Sequence, residues 1–327
     1  MKKSSLLWRS LGGVGGLLGV SLGLGKVYAN RKNRTLRSVG AEKFAEIFQK
    51  GPDVFDADEM AKQYRHSAKP YDLPKHFTRA AGFQWMDKQR QIIERPSKGE
   101  FPDHTIFYLH GGAYWADPDY VQFKAVAYIA DRADARVVMP IYPKAPTHHA
   151  KQALKMVVDS YANLVKTAEP ETITILGDSS GAGLALALAF KIRELGLPMP
   201  SHIVLMSPWL DVSLTNPEIP VYQEHDTILD ANRLRTQGQL YAGDVAVTDP
   251  LVSPLYGDLS DLPPIDIFTG TADILYPDTE KFVEQAKKKG EPVYLHKFEN
   301  QPHDFAVMPM PEAAQALDEI SNIVESN

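Results

Sequence analysis

Apolar residues fall along this chain in two rhythms that take turns. Short runs rich in β-branched and aromatic residues occupy 83–93, 104–109, 136–141, 172–176, 202–206, 265–269 and 293–298. Such runs predict strands, most of them apolar on both faces, as in a parallel sheet covered above and below. Between them lie longer stretches with apolar residues three and four apart, which predict helices over 120–133, 150–167, 181–195, 277–289 and 311–326. Strand alternating with helix is the signature of an α/β architecture. The expected core is an eight-stranded, mostly parallel sheet with helices on both faces. The run near Phe83 supplies an N-terminal antiparallel strand, with a short partner to complete the set.

One strand-to-helix junction carries chemistry. The run Thr172-Ile173-Thr174-Ile175-Leu176 leads into Gly177-Asp178-Ser179-Ser180-Gly181, and an apolar helix former follows directly. A G-x-S-x-G at such a junction is a nucleophile elbow, which lifts the serine hydroxyl clear of the sheet. The same five letters also occur as a plain glycine-rich connection. The strand before and the helix after favour the elbow.

A serine nucleophile needs a base and an acid, here expected in the order serine, acid, histidine. Asp273 follows the strand at 265–269, and His303 lies in the loop after the strand at 293–298. Both fall at carboxyl ends of strands, where open α/β sheets gather their catalytic groups. His303 is the candidate base for Ser179, and Asp273 the candidate acid that orients it. Two nearby carboxylates receive structural readings: Asp278 as a helix-start residue, and Asp304 as part of the loop. His296 falls inside a strand pattern and is set aside.

Upstream, the strand at 104–109 runs into His110-Gly111-Gly112-Ala113-Tyr114-Trp115. Consecutive glycines let backbone N–H groups turn toward a developing oxyanion. Gly111 and Gly112 are the expected donors, joined by the N–H of Ser180. A metal is not expected: there is no cysteine and no H-E-x-x-H, and His148-His149 are adjacent residues whose side chains diverge. No cofactor is expected either.

These stretches together resemble the hormone-sensitive-lipase-like branch of the α/β-hydrolases, a family of carboxylesterases. His110-Gly111-Gly112 is similar to the family's H-G-G-G, and 177–185 to its G-D-S-A-G-G-N-L-A. Tyr142-Pro143-Lys144-Ala145-Pro146 is similar to its Y-R-L-A-P, and Pro302-His303-Asp304-Phe305 to its P-H-G-F. The resemblance spans about 80–325. It implies the α/β-hydrolase fold, a serine esterase activity on small-molecule esters, and a cap over the site contributed by the segment 30–73. Ala113, Ser180 and Ala182-Gly183 depart from the family pattern, which leaves the substrate open.

Composition agrees with such an enzyme. The 327 residues are 44% hydrophobic with a formal net charge of −6 and no cysteine. The length suits one large core with a small lid, and the acidic balance gives no reason to expect nucleic acid. A disulfide scaffold and a cysteine nucleophile are excluded. Lys2, Lys3 and Arg9 precede an uncharged stretch, 10–25, and Val27-Tyr28-Ala29 then offers small residues to a signal peptidase. Residues 1–29 are therefore expected to be a signal peptide or an N-terminal membrane anchor, placing the protein outside the cytoplasm; the alternative is an unprocessed cytoplasmic chain. The stretch is short for a span, which needs about twenty residues.

The remainder, 30–327, is read as one hydrolase domain with cap elements at about 30–73 and 211–249. Within the second, Glu224-His225-Asp226 suggests acid–base chemistry in isolation, but Asp226 and Asp230 are better read as building a helix start. Tyr114, Trp115 and Trp209 are expected to line the pocket, suiting short- to medium-chain carboxylic esters hydrolysed through an acyl-enzyme. An arylformamidase-like amidohydrolase and a non-catalytic ligand-binding homologue are the alternatives. The sequence says nothing about the oligomeric state.

Overall fold

The computed structural model describes residues 26, 29–31, 34–49, 55–99 and 104–326. The expected signal or anchor at 1–29 lies outside these residues, apart from 26 and 29. Among the described residues no helix is long and apolar enough to cross a membrane.

Among the described residues eight strands form one sheet: β1 (Gln84–Asp87), β2 (Ile92–Arg95), β3 (His104–Leu109), β4 (Ala135–Pro140), β5 (Ile173–Asp178), β6 (His202–Met206), β7 (Ile265–Ala272) and β8 (Val293–Pro302). Their order across the sheet is β1-β2-β4-β3-β5-β6-β7-β8. β2 pairs antiparallel with β1 and with β4, and every later pair is parallel. The single run expected over 83–93 is in fact a hairpin. The polar stretch Asp87-Lys88-Gln89-Arg90 turns the chain, with Asp87 accepting the Arg90 N–H at 3.0 Å, and β2 returns from Ile92.

The main helices are α1 (Leu36–Gln49), α2 (Ala57–Ser67), α3 (Lys75–Ala81), α4 (Tyr120–Arg132), α5 (Ala150–Leu164), α6 (Ser179–Glu194), α7 (Ile219–Gln223), α8 (Ala231–Ala242), α9 (Tyr276–Lys289) and α10 (Pro311–Glu325). They divide between the faces as the alternation along β3 requires. Ile106 and Tyr108 join Phe123, Val126 and Ile320 of α4 and α10. Phe107 and Leu109 join Leu154, Leu184 and Phe282 of α5, α6 and α9. Burial on both faces explains why these strands read as continuous apolar runs.

This division locates the site. The chain leaves β3 toward the α4 face and leaves β5 toward the α6 face, so the carboxyl ends of these neighbouring strands open a crevice at a topological switch point. The loop after β3 and the start of α6 border that crevice.

Candidate active site

The elbow is set by steric demands. Ser179 has φ 51°, a left-handed conformation that costs a non-glycine residue about 1–3 kcal/mol. A Cβ on Gly181 would overlap the carbonyl oxygen of Leu109, and one on Gly177 would lie 2.6 Å from the Gly181 oxygen. The two glycines let β5 and α6 meet β3 closely enough to hold Ser179 at the tip.

The structure brings the three residues of the expected triad together from widely separated positions. His303 Nε2 lies 2.9 Å from Ser179 Oγ, and His303 Nδ1 lies 2.8 Å from Asp273 Oδ2. The other oxygen of Asp273 accepts the Leu275 N–H at 2.8 Å. Asp273 is wholly buried, and Ser179 keeps 7% exposure. Burial pushes His303 down, but the carboxylates of Asp273 and Asp304 outweigh it, and the imidazole is held well above the ordinary histidine range.

Asp304, expected from the sequence to be loop structure, is so in its backbone: the N–H donates to Ser207 Oγ at 3.1 Å. Its side chain does more. Oδ2 lies 3.3 Å from His303 Nε2, the nitrogen that faces Ser179.

The loop after β3 corrects one expected oxyanion donor. The Gly111 N–H already donates to Asp178 Oδ1 at 2.9 Å, so it is committed to the scaffold. The same carboxylate accepts the Tyr108 hydroxyl at 2.5 Å and Gln122 Nε2 at 2.6 Å. Burial, together with the nearby Asp304 charge, pushes Asp178 up to about 7 against these hydrogen bonds. Gly112 and Ala113 border the cavity beside Ser179. The chain reverses there, with φ 116° at Gly112, 56° at Ala113 and 57° at Tyr114. Tyr114 N–H then donates to Ser180 Oγ at 3.2 Å, clamping the loop to the elbow.

Two of the three expected pocket aromatics are scaffold. The reversal turns the Tyr114 ring inward, where it stacks on Tyr241 at 3.5 Å and leans on Trp209 at 5.7 Å. Tyr114 and Trp209 are buried, and the indole N–H of Trp209 donates to the Asp211 carbonyl. Only Trp115 lines the cavity. That cavity is about 920 Å³ and combines Ser179 and His303 with Trp115, Ile228, Leu234 and Met308. Arg37 of α1 and Arg233 of α8 also border it, so both segments expected to cap the site contribute to its wall. A second cavity of about 820 Å³, near Lys69 and Lys155, contains none of the triad.

Asp226 needs a second correction. Asp230 caps α8, accepting the Arg233 N–H at 2.8 Å, but Asp226 does not. One of its oxygens accepts the N–H groups of Ile228 and Leu229, and the other accepts the Ile274 N–H at 2.9 Å. It thus ties the 211–249 segment to the residue after Asp273. Burial and the neighbouring Asp273 charge push its carboxyl up to about 7. The sequence carries only a faint signal for this, an aspartate two residues before an apolar residue, as in an Asx turn.

His110 is buried and stacked on Tyr142, with Nδ1 2.7 Å from the Gly111 carbonyl oxygen. Burial, with Lys144 nearby, pushes it down to about 3. Among the described residues no group of three histidine, aspartate or glutamate side chains has the spacing of a metal site.

The chain matches the family model described as alpha/beta hydrolase fold over residues 106–307. It is 35% identical to an esterase of Acinetobacter venetianus over 68% of this chain and 74% of that protein. It is 31% identical to an acetyl-hydrolase of Streptomyces hygroscopicus over 68% of this chain and 75% of that one. Among solved structures, a hormone-sensitive lipase from a metagenome library superposes with a TM-score of 0.73 at 26% identity, covering 88% of this chain and 97% of its own. An esterase of the bacterial hormone-sensitive lipase family shares the fold with a TM-score of 0.77 at 24% identity, covering 90% and 98%. The chain belongs to the alpha/beta hydrolase fold family, in its hormone-sensitive-lipase-like branch, and is a carboxylic ester hydrolase.

Proposed function

We propose that the protein hydrolyses short- to medium-chain carboxylic esters through an acyl-enzyme on Ser179. The observation that carries this reading is the unbroken line from Ser179 Oγ through His303 to Asp273, at 2.9 and 2.8 Å. Ser179 attacks the ester carbonyl as His303 Nε2 takes its proton. Asp273 holds the Nδ1–H tautomer and stabilises the imidazolium. The proton then passes to the departing alcohol, and water repeats the sequence to release the acid.

The tetrahedral oxyanion is assigned to the backbone N–H groups of Gly112, Ala113 and Ser180. Gly112 and Ala113 border the cavity beside the nucleophile, whereas the Gly111 N–H is held by Asp178. Ser180 follows Ser179 in the first turn of α6, where N–H groups lack intrahelical partners. Trp115, Ile228, Leu234 and Met308 give the cavity an apolar wall that suits acyl chains beyond acetyl. The acetyl-hydrolase name of one relative is consistent with the short end of that range.

Replacing Ser179 with Ala is expected to lower p-nitrophenyl acetate turnover by roughly a thousandfold or more. A near-wild-type rate would remove the assignment. The basic and then uncharged N-terminus is assigned to export or membrane anchoring. Cell fractionation tests this, and an intact chain in the cytosol would contradict it.

A further inference from the structure

Asp304 takes the place of the glycine in the P-H-G-F pattern that this stretch resembles. Its φ of 52° lies in the left-handed region, which glycine, asparagine and aspartate tolerate best. The side chain is not used to hold the loop. Oδ1 is buried without a hydrogen-bond partner among the described residues, while Oδ2 lies 3.3 Å from His303 Nε2. The carboxylate borders the reaction cavity with 17% of its side chain exposed.

Its surroundings are acidic. Asp304 is faced by Asp178 at the end of β5, Asp119 at the start of α4, Asp273 after β7 and the Tyr108 hydroxyl. His303 is the group of opposite charge beside it. His303 is in turn faced by Asp273, by Asp304 and, from the 211–249 segment, by Asp226. The base therefore lies between two carboxylates, one at each ring nitrogen.

We propose that Asp304 is a positioning residue of the reaction, a second carboxylate that receives the His303 Nε2 proton as a hydrogen bond whenever Ser179 or the leaving alcohol does not hold it. The proposal rests on the reading of Ser179 as nucleophile. When Oγ attacks, its proton moves to Nε2, and the imidazolium gains a hydrogen-bond acceptor at each nitrogen. The proton then leaves Nε2 for the alkoxide oxygen of the departing alcohol, and no bond of Asp304 changes. The arrangement stabilises the charged intermediate, but it stabilises the resting imidazolium as well. A protonated base cannot accept the serine proton, so activity is withheld until the pH rises well above the usual histidine range.

The test is the pH profile of kcat/KM for p-nitrophenyl acetate in the wild type, Asp304→Asn and Asp304→Gly. Asparagine and glycine both suit the backbone at this position, so folding is expected to survive. An opposite charge at this range shifts a titration by about 1–3 pH units. Both variants are expected to move the acid limb down by about one unit or more, with a severalfold lower kcat on the alkaline plateau. The wild type alone gives a second check, because its acid limb should lie above the ordinary histidine value of about 6.5. An acid limb unmoved in both variants, or a wild-type limb at or below that value, overturns the inference while leaving a Ser179-dependent esterase intact. Activity that survives Ser179→Ala overturns both.

Discussion

The carboxylate of Asp178 accepts the backbone N–H of Gly111 at 2.9 Å, joining the residue before Ser179 to the loop that carries two of the proposed oxyanion donors. Because Tyr108 and Gln122 donate to the same carboxylate, one side chain fixes β3, α4 and the elbow relative to one another. Asp178→Ala leaves three buried donors without an acceptor, each costing about 1–3 kcal/mol. Urea unfolding should show a loss of about 3 kcal/mol or more. Asp178→Asn keeps one acceptor oxygen but turns an amide N–H toward a donor. It should lower kcat more than it raises KM, since the oxyanion donors matter most in the transition state.

Steric need at the elbow gives a sharper contrast. Gly181→Ala places a methyl against the Leu109 and His110 carbonyls, backbone atoms that cannot move aside. It should abolish activity and destabilise the fold by more than about 2 kcal/mol. Gly40 lies within α1, and a methyl added there would meet nothing within 4 Å. Gly40→Ala should therefore stabilise the protein by up to about 1 kcal/mol, as thermal or urea unfolding would reveal.

Asp226 links pH to stability with a definite sign. Its carboxyl titrates near about 3.9 when unfolded and is pushed up to about 7 in the fold. Between these values the native state binds more protons than the unfolded chain, so this group's contribution is full below about pH 4 and is lost as pH rises through about 7. Asp226→Asn does not titrate. Relative to that variant, the wild type should lose stability between about pH 4.5 and about pH 7.5, measured by urea unfolding at both ends. A difference that is constant, or that grows in the wild type's favour, would contradict the placement of this carboxylate. The variant should also show a lower kcat, because the Ile274 N–H beside Asp273, the proposed acid, loses its carboxylate.

The aromatic residues separate pocket from scaffold. Trp115→Ala enlarges the cavity and should shift the preference among p-nitrophenyl esters toward longer acyl chains. Trp209→Phe leaves a buried defect and removes one of the two hydrogen bonds that the Asp211 carbonyl accepts, the other coming from the Leu214 N–H. It should lower stability by about 1–3 kcal/mol while leaving chain-length preference unchanged. A chain-length shift from Trp209→Phe, with none from Trp115→Ala, would reverse the assignment.

The sequence makes the α/β alternation and the order Ser179, Asp273, His303 readable because each rests on a local pattern: apolar runs, glycines forced by close approach, and polar residues just past strand ends. The misreadings arise where distant parts of the chain meet. Nothing near Gly111 reveals that its N–H is taken by a residue 67 positions away. Nothing near Asp226 points to Ile274, 48 positions on. Tyr114 and Trp115 are adjacent aromatics, and only the backbone reversal through Ala113 and Tyr114 decides which one faces the cavity. Asp304 looks like loop because its backbone is loop, while its carboxylate lies against His303.

An acyl-enzyme on Ser179 requires a serine that an organophosphate ester such as diethyl p-nitrophenyl phosphate would trap, and intact-protein and peptide mass spectrometry after such treatment reads the outcome. One phosphoryl group per chain is expected, carried on the peptide containing Ser179, with activity lost in proportion to labelling and no label in Ser179→Ala. Full esterase activity in a protein that takes no label at Ser179, or inactivation that tracks a label elsewhere, would contradict it.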